Sequence, residues 1–243
     1  MLAMPLVSTA MTRSSESRPQ PVPTPTPQLD GPQPGMVLLV RHGQSIWNAA
    51  HRWQGMADAP LSELGRAQAD AAAETLATMS VGLPSGFGSV WASSLKRAVA
   101  TAEAIAARLG HESVAIEPRL REIDAGPWEG LTPQEIEAGW PGYLEHERRP
   151  DGFEPADAVI TRTLAGLTKL SEVSRTQGAP IVIVTHSGIM RSVRLHLGRR
   201  SGRVANLEGL WIEVTPEGRV VLGETVMLVD PKLVTPGSFA VPN

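Results

Sequence analysis

Two runs of branched apolar residues dominate what this chain can become. Residues 36–41 read Met-Val-Leu-Leu-Val-Arg, and residues 180–185 read Pro-Ile-Val-Ile-Val-Thr. Neither alternates apolar with polar, so neither suits a strand with one wet face. A short continuous run of this kind fits a strand buried on both faces, as in a parallel sheet covered by helices on each side. The rest of the chain supplies such helices. Ser62 stands as an N-cap ahead of an Ala-rich helical stretch over 63–79, and Ser93 or Ser94 caps another that ends near Leu109, before Gly110. Short strands are expected at 89–92 and 113–117. Thr132-Pro133-Gln134-Glu135 has the form of a capping box with proline at the first helical position. A loop rich in charge and proline over 140–155 leads to a helix over 156–175, and a further helix begins after His186-Ser187-Gly188. Residues 210–214 and 219–229 form a closing hairpin turned at Pro216-Glu217-Gly218. This alternation defines an α/β class, a three-layer α/β/α sandwich with a mainly parallel central sheet.

With 243 residues and 42% hydrophobic residues the chain can build one substantial core, and no internal repeat divides it. Residues 1–35 differ in character, being rich in Ser, Thr, Pro and Gln, with the run Pro21-Val22-Pro23-Thr24-Pro25-Thr26-Pro27. Such a segment buries too little apolar surface to offset its ordering entropy and is expected to be a disordered leader. The domain then spans 36–230, with an irregular tail over 231–243. Pro5 interrupts the mildly apolar start and no basic stretch precedes it, which argues against a secretory signal. No apolar stretch approaches the roughly 20 residues that span a bilayer, so a cytoplasmic protein without a membrane partner is expected. There is no cysteine, hence no disulfide, thiolate metal site or cysteine nucleophile. A net charge of -3, with no basic run beyond Arg199-Arg200, excludes a dedicated nucleic-acid face while leaving room for a small anionic substrate.

In an open α/β sheet, ligands bind at the carboxyl ends of the strands. Arg41-His42-Gly43 ends the first branched run and His186-Ser187-Gly188 ends the second. Arg97 falls in the first turn of the helix after Trp91, where its charge and the free amides of the helix start both favour an anion. Phosphoryl transfer fits this set. A neutral imidazole can attack phosphorus and split hydrolysis into two easier steps, and flanking guanidiniums disfavour its protonation. Arginine also matches phosphate oxygens with its planar fork. Glu122, in Leu120-Arg121-Glu122-Ile123-Asp124-Ala125-Gly126, is the carboxyl group best placed to protonate a leaving oxygen. Asn48 could equally cap a turn, and Arg148 and Arg149 read as a solvated loop pair.

The ordered set of motifs resembles the histidine phosphatase superfamily, in the branch that includes cofactor-dependent phosphoglycerate mutases. The pieces are Arg41-His42-Gly43-Gln44-Ser45 with Trp47-Asn48, Gln54-Gly55 with Asp58 and Pro60-Leu61-Ser62, and Ser93-Ser94-Leu95-Lys96-Arg97-Ala98 with Thr101-Ala102-Glu103. Leu120-Arg121-Glu122, Gly126-Pro127-Trp128-Glu129-Gly130 and Thr185-His186-Ser187-Gly188 complete them. The resemblance implies a phosphoglycerate mutase-like fold and a phosphohistidine on His42. It places Arg41, Arg97 and His186 around the phosphate, Asn48, Gln54 and Gly55 as further substrate contacts, and Glu122 as proton donor. It implies no metal and no cofactor, a small phosphorylated metabolite as substrate, and a monomer or homodimer.

Many members carry Pro-x-Gly-Gly-Glu-Ser with an arginine eight residues after the glutamate. This chain has Pro150-Asp151-Gly152-Phe153-Glu154-Pro155 and Arg162, with Phe153 in place of a glycine and Pro155 in place of a serine. The segment after Trp128-Glu129-Gly130 is compact, which resembles phosphatase members more than mutases. Two other functions use the same residues: a mutase that returns the phosphoryl group to a bound acid, and a catalytically silent relative that binds phosphorylated ligands.

Overall fold

The computed structural model describes residues 35–199 and 202–233. The leader expected before Gly35 and the tail beyond Leu233 lie outside the described residues. The chain runs β1 (Gly35–Arg41), α1 (Ile46–Ala49), α2 (Glu63–Val81), β2 (Val90–Ala92), α3 (Lys96–Leu109), β3 (Ala115–Ile116), α4 (Pro133–Gly139), α5 (Ala156–Gln177), β4 (Ile181–Thr185), α6 (Ser187–His196), β5 (Glu208–Val214) and β6 (Val220–Met227). The six strands form one sheet in the order β3-β2-β4-β1-β5-β6. β1, β2, β3 and β4 run parallel, and the β5–β6 hairpin adds antiparallel to the free side of β1.

The two branched runs become the adjacent central strands, and their residues alternate between two helix layers. Leu38, Val40, Val182 and Val184 pack with Ala72 and Leu76 of α2 and Ala102 and Ile105 of α3. Val37, Leu39, Ile181 and Ile183 face the other way, onto Leu167 and Leu170 of α5 and Ile189 and Val193 of α6. Each such fully buried side chain contributes about 1.5–3 kcal/mol. Burial on both faces also fixes register, because a slip of β1 by one residue would carry Arg41 into the core. A third, smaller cluster gathers Ala125, Trp128 and Ile136 with Trp53, Trp140 and Phe153.

Several local features depart from expectation. The sheet starts at Gly35, which pairs with Val214 and packs where a β-carbon would overlap the Ser171 backbone. The third strand shrinks to Ala115–Ile116, because Glu117 turns inward to cap the 3-10 turn Pro118–Leu120 through the Arg119 N–H. Neither Ser93 nor Ser94 caps α3: the N-cap position is Leu95, with no side-chain bond. The Asp58 carboxylate, distant in sequence, accepts the Lys96 N–H at 2.6 Å instead. Elsewhere Ser62 caps α2 and Thr132 with Glu135 forms the capping box of α4. α2 and α5 each run two residues past their expected ends, to Val81 and Gln177. Past Asp230 the chain makes a further 3-10 turn, Pro231–Leu233, whose Leu233 carbonyl accepts from Gln68 at 2.6 Å.

Candidate active site

Parallel register brings the two histidines together. Arg41 of β1 lies opposite Thr185 of β4, and the His42 N–H donates to the Thr185 carbonyl at 3.0 Å. His42 and His186 therefore leave the sheet side by side, with ring centroids 5.1 Å apart and planes tilted by 58°. From there the chain parts: β1 leads to the α2–α3 layer and β4 to the α5–α6 layer. Such a divergence between adjacent strands opens the crevice where α/β proteins bind ligands.

Both histidines are buried. His42 Nδ1 sits 2.6 Å from the Gly43 carbonyl, which can only accept, so the ring proton is on Nδ1. The other nitrogen, Nε2, accepts from Arg97 Nε–H at 3.3 Å. Burial, then the Arg97 and Arg41 charges, push the His42 pKa well below its usual 6.5. His186 is driven down in the same direction by burial and then by Arg97. Its Nε2 lies 2.6 Å from Ser93 Oγ, while its Nδ1 is buried without a partner among the described residues. Ser93, expected as a helix cap, thus holds a histidine.

Arg97 is buried and fully positioned by backbone. Besides His42, it donates to the Ala57 carbonyl at 2.7 Å and the Gly55 carbonyl at 2.9 Å. Gly55 bears on the site through this contact as well as by lining the cavity. The helix start beside Arg97 offers less than expected, since Asp58 already takes the Lys96 amide. Arg41 donates to the Val204 carbonyl at 2.7 Å and keeps its buried Nε unpartnered. Burial lowers both arginines to about 10, with Glu122 the main opposing charge.

Glu122 accepts from the Ile123 N–H at 3.0 Å and from the Gly188 N–H at 3.2 Å. The segment carrying it is clamped from α5. Arg162 donates to the carbonyls of Arg119 and Arg121, both at 2.7 Å, and of Glu122 at 3.1 Å, and grips Glu154 with two bonds of 2.7 and 2.8 Å. The eight-residue spacing of Glu154 and Arg162 is therefore in use, while Phe153 joins the aromatic cluster at Trp53 and Trp128.

A cavity of about 1050 Å³ opens over these groups, lined by Arg41, His42, Asn48, Gln54, Gly55 and Glu122 among others. Arg97 and His186 contact His42 of that lining, so the eight expected residues converge on one place. Asn48 also closes the capping box of α1, accepting the Ser45 N–H at 3.1 Å, and Gln54 accepts from Ser45 Oγ at 2.7 Å. Sequence reasoning missed Asn206, whose Nδ2 donates to the His42 carbonyl at 2.8 Å, for it stands in an unremarkable stretch before β5. It also missed Arg191, although spacing could have found it, being one helical turn beyond Ser187 and on the same face of α6. The expected Arg148–Arg149 solvated pair separates: Arg148 stacks over Tyr143 at 4.2 Å, while Arg149 reaches the cavity over Trp128 and Phe153.

The sheet order and the paired histidines at the β1–β4 crevice define a phosphoglycerate mutase-like α/β protein. The chain belongs to the histidine phosphatase superfamily (branch 1), whose family model matches residues 37–214. It is 37% identical over 167 residues to the glucosyl-3-phosphoglycerate phosphatase of Mycolicibacterium vanbaalenii, covering 65% of this chain and 71% of that protein. It is 32% identical over 180 residues to the metal-independent phosphoserine phosphatase of Arabidopsis thaliana, covering 70% and 72%. A probable phosphoglycerate mutase of Yersinia pestis is 40% identical over 159 residues, covering 62% and 68%. Among solved structures, mycobacterial glucosyl-3-phosphoglycerate phosphatase in complex with VO3 superposes with a TM-score of 0.68 at 29% identity, covering 77% of this chain and 96% of that one. Among the described residues no helix is long and apolar enough to cross a membrane.

Proposed function

We propose that this protein hydrolyses a small phosphomonoester through a phosphohistidine on His42, and that the residues gathered at the crevice carry the reaction. The observation behind this reading is the state of His42: neutral through burial and flanking guanidiniums, with Nδ1 pinned to the Gly43 carbonyl so that the Nε2 lone pair is the reactive one. A phosphate entering the crevice displaces the weak Arg97–His42 contact and takes the guanidinium itself. Arg97 and Arg41 then clamp the oxygens. Ser93 Oγ accepts from the Leu95 N–H at 3.4 Å and gives its own proton to His186 Nε2, which leaves the buried His186 Nδ1–H as a further donor.

Nε2 attacks phosphorus as the P–O bond to the leaving group breaks, and protonated Glu122 gives its proton to the departing oxygen. Water then enters. Glu122, now a carboxylate, takes a proton from it while the water oxygen attacks phosphorus. The N–P bond breaks, releasing phosphate, neutral His42 and protonated Glu122. General acid–base help of this kind contributes about 10²–10⁴-fold. The mutase reading differs in the second step alone, where a bound acid and not water receives the phosphoryl group.

The test is turnover of p-nitrophenyl phosphate and a panel of phosphorylated metabolites by wild type and His42→Ala, in chelator and without added bisphosphoglycerate. Wild type is expected to release phosphate with chelator present, and H42A to lose roughly 10⁴-fold or more. Equal turnover by H42A would sink the phosphohistidine, and activity that needs a bisphosphoglycerate primer would transfer the protein to the mutases.

A further inference from the structure

The Gly43 carbonyl decides which nitrogen of His42 is free, so whatever aims that carbonyl bears on the nucleophile. A planar trans peptide couples its two ends: the Gly43 carbonyl and the Gln44 N–H share one amide plane and point in opposite directions. His42 Nδ1 lies 2.6 Å from the carbonyl, and on the other side the Gln44 N–H donates to Gln68 Oε1 at 2.8 Å. Gln68 is fully buried on α2. The groups on either side brace the same plane. The Gly43 N–H donates to Thr101 Oγ1 at 3.1 Å, and the Gln44 carbonyl accepts the Ser62 N–H at 2.9 Å. α2 presses directly on this turn, for a β-carbon on Gly65 would overlap the Gln44 carbonyl.

A glutamine amide can face either way, and here its far end settles the direction. Gln68 Nε2 donates to the Leu233 carbonyl at 2.6 Å, in the 3-10 turn that follows β6. Asp230 closes that turn: its carbonyl accepts the Leu233 N–H at 2.8 Å and its Oδ1 accepts the Lys232 N–H at 2.8 Å. Reversing the amide would set two acceptors together at Leu233 and two donors together at Gln44. A continuous chain of bonds thus runs from the Leu233 carbonyl through the Gln68 amide and the Gly43–Gln44 peptide to the His42 ring. In a buried chain each bond polarises the next, so the Gly43 oxygen draws more strongly on the Nδ1 proton and enriches Nε2. Without Gln68 the buried Gln44 N–H lacks this partner, and the peptide relieves that by rotating, which takes its carbonyl off Nδ1.

We propose that Gln68 is a positioning residue for phosphoryl transfer: with its amide oriented by the Leu233 carbonyl, it aims the Gly43–Gln44 peptide and so keeps the His42 proton on Nδ1 and Nε2 free to attack. The inference rests on the phosphohistidine reading above. Neither Gln68 nor the turn at 231–233 lines the cavity, so both act on the nucleophile from behind it.

The tautomer of His42 tests this without relying on turnover. It is read by nitrogen NMR on full-length protein carrying isotope-labelled histidine, with the His42 signals identified by their loss in His42→Ala. Alongside, kcat/KM, which reports formation of the phosphohistidine, is measured on p-nitrophenyl phosphate and an alkyl phosphate. Gln68→Met keeps the shape without either bond, and Gln68→Asn is too short to span both partners. Gln68→Glu, as a protonated carboxyl, donates to Leu233 and accepts from Gln44 as the amide does. At mildly acid pH, wild type and Q68E are expected to hold His42 in the Nδ1–H form. Q68M and Q68N are expected to gain a share of the Nε2–H form and to lose about tenfold in kcat/KM on both substrates. If Q68M does not fold, Q68N carries the comparison. A tautomer or a kcat/KM unmoved in Q68M and Q68N, or moved as far in Q68E, overturns the role of Gln68. A tautomer that shifts as expected in an enzyme that hydrolyses nothing overturns the phosphatase reading and leaves Gln68 as the residue that orients His42.

Discussion

At the residue scale, the position of Glu122 depends on a missing β-carbon. Its carboxylate lies against the Gly188 backbone, accepting the N–H at 3.2 Å in space that any side chain at 188 would fill. The glycine after His186 thus makes room for the acid, a closer demand than the approach of a ligand. Gly188→Ala is expected to push Glu122 out of line. Because a good leaving group needs no proton, turnover of p-nitrophenyl phosphate should fall little and that of an alkyl phosphate by about 10²-fold. Equal losses on both substrates would show that Glu122 is not the proton donor.

At the scale of elements, α5 holds the segment that carries Glu122. Its Arg162 gathers the carbonyls of Arg119, Arg121 and Glu122 and the Glu154 carboxylate, and so holds the segment that leads from the 3-10 turn to Glu122. Thr185 adds a bond from β4 to the Leu120 carbonyl at 2.8 Å. Both partners of the Arg162–Glu154 pair are mostly buried, at 13% and 15% exposure, so removing one leaves the other uncompensated. Arg162→Ala is expected to cost about 3–5 kcal/mol. The double variant Arg162→Met with Glu154→Met should recover much of that stability in a denaturant titration, yet not the alkyl phosphatase activity, since the carbonyls before Glu122 stay unheld. Recovery of both together would reduce the pair to a purely structural one.

For the whole molecule, holding two histidines neutral in the core ties folding to pH. In the unfolded chain each takes up a proton below its ordinary 6.5, while in the fold burial and then Arg97 keep the proton off. The unfolded state therefore binds more protons in acid, and folding stability, fully present above about pH 6.5, falls as pH drops below it. The slope is about 1.4 kcal/mol per pH unit for each histidine. Replacing His186 by Asn should remove about half of the slope that the pair produces between pH 6.5 and 5, measured by denaturant unfolding. An unchanged slope would mean that His186 titrates normally in the fold.

Much of this was legible because strand burial and motif chemistry are local properties. Two unbroken branched runs announce strands covered on both faces, and Arg-His-Gly and His-Ser-Gly at their ends announce what the sheet presents at its carboxyl edge. Ser62 and Thr132 cap as read, since a cap needs only a side chain and an amide three residues away. The sequence also carried the eight residues that converge at the crevice. Only the tertiary structure decided contacts between segments distant along the chain. Asp58, 38 residues away, caps α3 in place of the local serines, which frees Ser93 for His186. Asn206 fastens the His42 carbonyl from 164 residues away, and Arg149 leaves its charged neighbour for a wall of aromatic rings. The physical reason is the same in each case: a local pattern fixes which way a backbone segment folds, but a polar side chain bonds whatever partner packing places within about 3 Å of it.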